Sequence, residues 1–285
     1  MDSISSSLTS GSFGFAFGLT LLAGLATGLG AAVAFFAARA NQRVLALSLA
    51  FSAGVMLYVS FVEILPKATV ALSTHYGPAS GGWFANLGFF GGILAMALID
   101  WLVPSADNPH ELRGDEELRQ LKAGRLPLAP GADGNRRLRR MGLFTAAAIA
   151  IHNFPEGMAT FLAAIDDPRT GVAIAIAVAL HNIPEGISVS VPVFYATGRR
   201  GKAFLLSLSS GLAEPIGGAA AGLALDWFLP LQAAGFVFAG VAGIMVYVSI
   251  DELLPTAHQY GHSHEVLGGI AAGMALMAVS LLLLR

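Results

Sequence analysis

Two apolar runs, residues 143–165 and 172–194, are each long enough to cross a bilayer, and each carries the same polar motif at its centre. The first reads Ile151-His152-Asn153-Phe154-Pro155-Glu156-Gly157 and the second Leu180-His181-Asn182-Ile183-Pro184-Glu185-Gly186. On a helix, His and Glu four apart share one face, and the Asn three before the Glu flanks it. Proline has no backbone N–H, so Pro155 and Pro184 leave the carbonyls of Ile151 and Leu180 without their usual helical donor. Two histidines, two asparagines and two carboxylates at bilayer depth are costly unless they face one another or bind something. That requirement constrains the whole chain.

The chain has 285 residues, 55% hydrophobic and 12% charged, with 34 glycines. This composition belongs to an all-α integral membrane protein, a single transmembrane domain over residues 1–285. There is no cysteine, which excludes thiolate metal sites. The N-terminus lacks the basic region of a cleavable signal, so the first apolar run is expected to be retained. Eight spans are expected, at 13–36, 44–65, 83–103, 143–165, 172–194, 203–225, 231–254 and 266–284. Small residues spaced by four, such as Gly88/Gly92 and Gly218/Gly222, point to close helix packing and are compatible with a homodimer.

One long connection, 104–140, holds eight Lys/Arg and six Asp/Glu and is expected to be a mobile cytoplasmic loop. Its basic end, Arg136-Arg137-Leu138-Arg139-Arg140, serves as an orientation signal or a contact to anionic lipid; no nucleic-acid partner is expected. With the N-terminus outside, 13 of the 16 basic residues fall on the cytoplasmic side, leaving Lys67, Arg169 and Arg285 outside. The positive-inside rule selects this topology, in the cell inner membrane with both termini extracytoplasmic.

Ala53-Gly54-Val55-Met56-Leu57-Tyr58-Val59-Ser60-Phe61-Val62-Glu63-Ile64-Leu65-Pro66 recurs from Ala242 to Pro255 with nine of fourteen residues identical, at an offset of 189. In the derived topology these two spans run in opposite directions. A weaker match relates Gly24-Leu25-Ala26-Thr27-Gly28-Leu29-Gly30 to Gly211-Leu212-Ala213-Glu214-Pro215-Ile216-Gly217. Spans 1–3 and 6–8 therefore read as inverted repeats, with the twin-motif spans 4 and 5 at the pseudo-two-fold axis. Inverted repeats around a midplane site are a transporter architecture.

Imidazole with carboxylate and no thiolate suits borderline divalent ions: Zn²⁺, Fe²⁺, Mn²⁺ or Co²⁺. One His-x₃-Glu could be an interhelical hydrogen bond; two copies, each with its own Asn and Pro, favour a metal site. Glu214, followed by Pro215, is the other mid-membrane carboxylate. Three converging carboxylates sum to −3, so an empty site must take up protons and a filled one must release them.

Both motifs, the Ser210–Pro215 stretch and Ser249-Ile250-Asp251-Glu252-Leu253-Leu254-Pro255 resemble the ZIP (Zrt/Irt-like) metal transporters, and the likeness spans essentially the whole chain. The resemblance implies an eight-span fold and import of divalent metal toward the cytoplasm. It also implies a binuclear centre: His152, Glu156, His181 and Glu185 around one ion, and Asn153, Glu156, Asn182, Glu185 and Glu214 around the other. Glu63 at the outer end of span 2 is a candidate entrance residue. Asp100, Asp251, Glu252 and the histidines 258, 262 and 264 are candidates at the inner end. A membrane-embedded di-metal enzyme is the first alternative, but it would favour Glu-x-x-His over the order found here. A metal-selective channel would share the site and differ only in kinetics.

Tags at residues 1 and 285 are expected to be reachable from outside the cell, and a tag near Asp133 only from the cytoplasm. A cytoplasmic terminus in an accessibility assay would overturn the orientation.

Overall fold

The computed structural model describes residues 10–36, 42–102, 132–227 and 231–284, and among these there is no strand. Both terminal residues and the charged connection up to residue 131 lie outside them. In chain order the helices are α1 (Ser10–Phe36), α2 (Gln42–Val59), α3 (Leu65–Tyr76), α4 (Pro78–Leu102), α5 (Ala132–Asp166) and α6 (Pro168–Thr197). They continue with α7 (Arg200–Gly211), α8 (Ala213–Trp227), α9 (Leu231–Val248), α10 (Leu254–Tyr260) and α11 (Ser263–Leu284). Six of the described helical segments are long and apolar enough to cross a membrane. The chain is an integral membrane protein.

The two remaining expected spans are present as helix but depart from a plain apolar rod. Helix α5 carries the polar motif and begins at Ala132, so the basic residues expected at the end of a loop form its first turns. The expected span 6 is divided into α7 and α8, of 12 and 15 residues, because Pro215 cannot donate to the carbonyl of Gly211. Leu212 carries the turn between them (φ −67°, ψ −9°). Pro155 and Pro184 are accommodated without a break, since α5 and α6 run through them.

The repeated fourteen-residue segment ends in a π-helical turn in both copies, Ser60–Ile64 and Ser249–Leu253. In each, the residue before the proline bonds five residues back, Leu65 to the Ser60 carbonyl and Leu254 to the Ser249 carbonyl. Widening the turn relieves the clash of Pro66 or Pro255 with the carbonyl four residues earlier. The helix then continues to Tyr76 or Tyr260, beyond the expected ends of spans 2 and 7.

Helices α1, α5, α6, α7 and α8 pack together, while α2 pairs with α11 and α4 with α9 around them. On α4, Trp83, Leu87, Phe90, Leu94, Leu98 and Trp101 are exposed at helical spacing. The two tryptophans lie about 27 Å apart at 1.5 Å per residue, close to the thickness of a hydrocarbon core. The result is an exposed apolar stripe with a tryptophan at each end.

Within the inner group, glycines set the contact distances. A Cβ at Gly157 would strike the Glu214 carbonyl, and one at Gly217 the Phe154 carbonyl, so α5 and α8 touch backbone to backbone. Gly186 stands in the same relation to the Thr27 carbonyl and Gly30 to that of Ile183, joining α6 to α1. The turn between α5 and α6 is fixed by Asp167, whose side chain accepts from the N–H groups of Arg169 (3.2 Å) and Thr170 (3.1 Å). The Thr170 hydroxyl beside it holds the Asp167 carboxyl below its ordinary value. That cap contributes fully at neutral pH and is lost as pH falls through the depressed value.

Gly186→Ala is expected to destabilise the folded protein by about 1–3 kcal/mol, the scale of overpacking. Gly82→Ala, with open space at its Cβ, is expected to leave the melting temperature of the purified protein unchanged.

Candidate metal centre

The seven residues singled out in the sequence come together where α5, α6 and α8 meet. Each is at most 2% exposed: His152, Asn153, Glu156, His181, Asn182, Glu185 and Glu214. The twin motifs are crossed. His152 Nε2 lies 3.3 Å from Glu185 Oε1, and His181 Nε2 lies 3.2 Å from Glu156 Oε2. Each histidine thus reaches the glutamate of the other helix rather than the one four residues along its own. The i, i+4 spacing puts both groups of a motif on the shared face, and the antiparallel helices then bring opposite motifs into register.

The asparagines tie this pair of helices to their neighbours. Asn153 Nδ2 donates to the Ser210 carbonyl at 3.4 Å, and Asn182 Nδ2 donates to the Ala23 carbonyl at 2.8 Å. Asn182 Nδ2 also donates to Glu214 Oε1. Glu214 sits in the first turn of α8, where the helix N-terminus favours a carboxylate. The proline that breaks span 6 therefore also sets the third carboxylate.

Every one of the seven keeps a buried polar atom without a hydrogen-bond partner among the described residues. These are Nδ1 of both histidines, Oδ1 of both asparagines, Glu156 Oε1, Glu185 Oε2 and Glu214 Oε2. Leaving one such atom unpaired costs about 1–3 kcal/mol. Among the described residues no three His, Asp or Glu groups stand ready around one point to hold a metal ion. The crossed hydrogen bonds engage one nitrogen of each histidine with a carboxylate.

The secondary candidates divide. Glu63 is 6% and Glu252 9% exposed, each inside a π-helical turn, so Glu63 is not a solvated helix end. Glu252 is within electrostatic reach of His152. Asp100 and Asp251 meet at the Tyr247 hydroxyl. His258, His262 and His264 are exposed, and His258 Nδ1 lies 2.9 Å from the Leu254 carbonyl. Sequence reasoning passed over Thr27 and Thr160, both fully buried and with hydroxyls that have no partner among the described residues. Thr27 could have been found, because it is the residue aligned with Glu214 in the weaker internal match.

A family model described as ZIP zinc transporter matches residues 105–281. The chain is 55% identical over 269 residues to the zinc transporter ZupT of Lysinibacillus sphaericus, covering 94% of this chain and 97% of the relative. The chain belongs to the ZIP zinc-transporter family. Zinc transporter ZupT of Chlorobaculum parvum is 53% identical over 269 residues, with the same coverage of both chains. That of Streptococcus mutans is 49% identical over 273 residues, again covering 94% and 97%. Membership of the ZIP family makes this chain a membrane transporter rather than an enzyme.

Proposed function

We propose that this ZIP protein carries divalent transition-metal ions, zinc foremost, across the cell membrane toward the cytoplasm through the seven-residue centre. The observation that carries this reading is the set of seven buried, unpartnered polar atoms, one on each residue. Buried polar atoms of this kind are costly without partners, and bound cations would supply them. The donor set is imidazole, carboxylate and amide oxygen, which suits zinc, iron(II), manganese and cobalt. The relatives' name as zinc transporters favours zinc among these.

Loading replaces the crossed His–Glu hydrogen bonds with bonds to the ion. His152, Glu156, His181 and Glu185 hold one ion, and Asn153, Asn182 and Glu214 join the two glutamates around a second. The carboxylates sum to −3, between the charge of one divalent ion and that of two, so the second ion binds more weakly.

The carrier has eight spans, with spans 1–3 and 6–8 as inverted repeats about an axis between α5 and α6. Several contacts support this. The residues that receive Asn153 and Asn182, Ser210 and Ala23, are 187 apart. So are Glu214 and Thr27, whose carbonyls are met by Gly157 and Gly186. Orientation rests on the distribution of basic residues. Consistent with it, Arg43 pairs with Glu265 (2.5 Å) and Lys67 with Asp166 (3.2 Å), at opposite ends of the second span.

Uptake of several divalent metals into liposomes holding the purified protein tests the reading. His181→Ala and Glu185→Ala are each expected to lower the initial zinc uptake rate by more than about tenfold, the scale reached even by outer-shell partners of a metal. Near-normal uptake by both, at normal abundance, contradicts the site. Glu214→Gln is expected to keep one ion and lose affinity for the second, measured by elemental analysis. Two tightly held ions in that variant would remove Glu214 from the centre.

A further inference from the structure

The two-fold relation between the halves gives each residue of the centre a counterpart. His152 answers to His181, Asn153 to Asn182 and Glu156 to Glu185. Glu214 alone has no carboxylate opposite it. Its counterpart in span 1 is Thr27, by the 187-residue offset and by contact: Gly157 abuts the Glu214 carbonyl as Gly186 abuts that of Thr27. Resting on the metal-carrier reading above, we propose that Thr27 is part of the ion centre. Its hydroxyl is the neutral ligand on the side opposite Glu214, and it makes the centre bind its two ions unequally.

Three observations carry the assignment. Thr27 is completely buried, and its hydroxyl has no hydrogen-bond partner among the described residues. Most threonines on helices satisfy themselves by bonding the carbonyl of the preceding turn, as Thr69 and Thr197 do here at 2.9 and 2.8 Å. Thr27 does not. The residue is also wedged between the two carboxylate-bearing elements. A Cβ on Gly186, next to Glu185, would meet its carbonyl, and a Cβ on Gly211, one turn before Glu214, would meet its hydroxyl. Finally, its carbonyl accepts from the Ser207 hydroxyl at 3.4 Å, and the Ser207 hydroxyl also donates to the Gly186 carbonyl at 3.1 Å. Backbone position is therefore fixed while the side-chain oxygen is left over.

The chemistry follows from charge. A carboxylate beside one ion and a hydroxyl beside the other give two lobes of different field strength, one retaining its ion and one releasing it readily. A hydroxyl is also a hard, neutral oxygen ligand that adds no charge to a site already holding three carboxylates.

The test is zinc binding by calorimetry to the full chain in detergent, for wild type, Thr27→Val, Thr27→Ala, Thr27→Ser and Thr27→Asp, with Glu185→Ala as control. Valine keeps the shape and removes the oxygen; it is expected to weaken binding about tenfold, as for loss of one polar contact to a charge. Serine is expected to bind like wild type. Aspartate raises the carboxylate count to four and is expected to tighten binding of the weaker of the two ions. A packing residue would respond to Val and Asp in the same direction or not at all, and either result overturns the assignment. If Val or Asp fails to fold, the Ala and Ser variants decide, and equal affinities in those two overturn it. Wild-type protein that binds no zinc, or Glu185→Ala with unchanged affinity, sinks the carrier reading itself. Zinc binding that depends on Glu185 but not on Thr27 sinks only this inference.

Discussion

The cost of burying polar groups in hydrocarbon governs this molecule. Seven polar side chains are buried together among the apolar helices, each at most 2% exposed. Crossing the two motifs is the first economy, because each histidine meets the opposite glutamate rather than its own neighbour. It settles only half of each residue's hydrogen-bonding capacity. Among the described residues one atom on each of the seven stays unpaired, and the proposed metal would engage that remainder.

Helix interruptions and glycines let that cluster form. Three helices must bring side chains of ordinary length to one place, which requires backbones to approach more closely than a Cβ permits. Gly157, Gly186, Gly211 and Gly217 supply the approach at the level of the motifs themselves. Pro215 supplies the break that turns span 6 and puts Glu214 in the first turn of a new helix. Away from the centre the same chemistry appears as π-helical turns, where Pro66 and Pro255 are absorbed by widening the helix rather than ending it. Polar residues, prolines and glycines are therefore one device, repeated in both halves of the chain.

Much of this was legible in the sequence because it depends on spacing. His–x₃–Glu on a helix determines which face carries the groups, and two copies on adjacent spans leave few ways to arrange them. The crossing of the pairs was not legible, since it depends on the register of α5 against α6, which a single chain does not display. Nor was the burial of Glu63. Hydropathy ends the second span near Leu65, but the π-helical turn carries the helix on to Tyr76 and leaves Glu63 inside. The basic cluster 136–140 was read as loop because charge outweighed helix periodicity there. It instead lies within the opening turns of α5. Thr27 was within reach, aligned to Glu214 by the internal match, yet a lone threonine carries no chemical signal until its hydroxyl is seen to lack a partner.

The central claim is that the imidazole and carboxylate groups of α5 and α6 become metal ligands. X-ray absorption at the zinc edge, on purified zinc-loaded protein, tests it most directly. The account predicts a first shell of nitrogen and oxygen only, with Zn–N distances of about 2.0 Å and the outer-shell scattering of two imidazoles. That imidazole signal should fall by half in His152→Ala and vanish when both motif histidines are replaced. A zinc spectrum with no imidazole scattering, or one unchanged by replacing His152 and His181, would contradict the account.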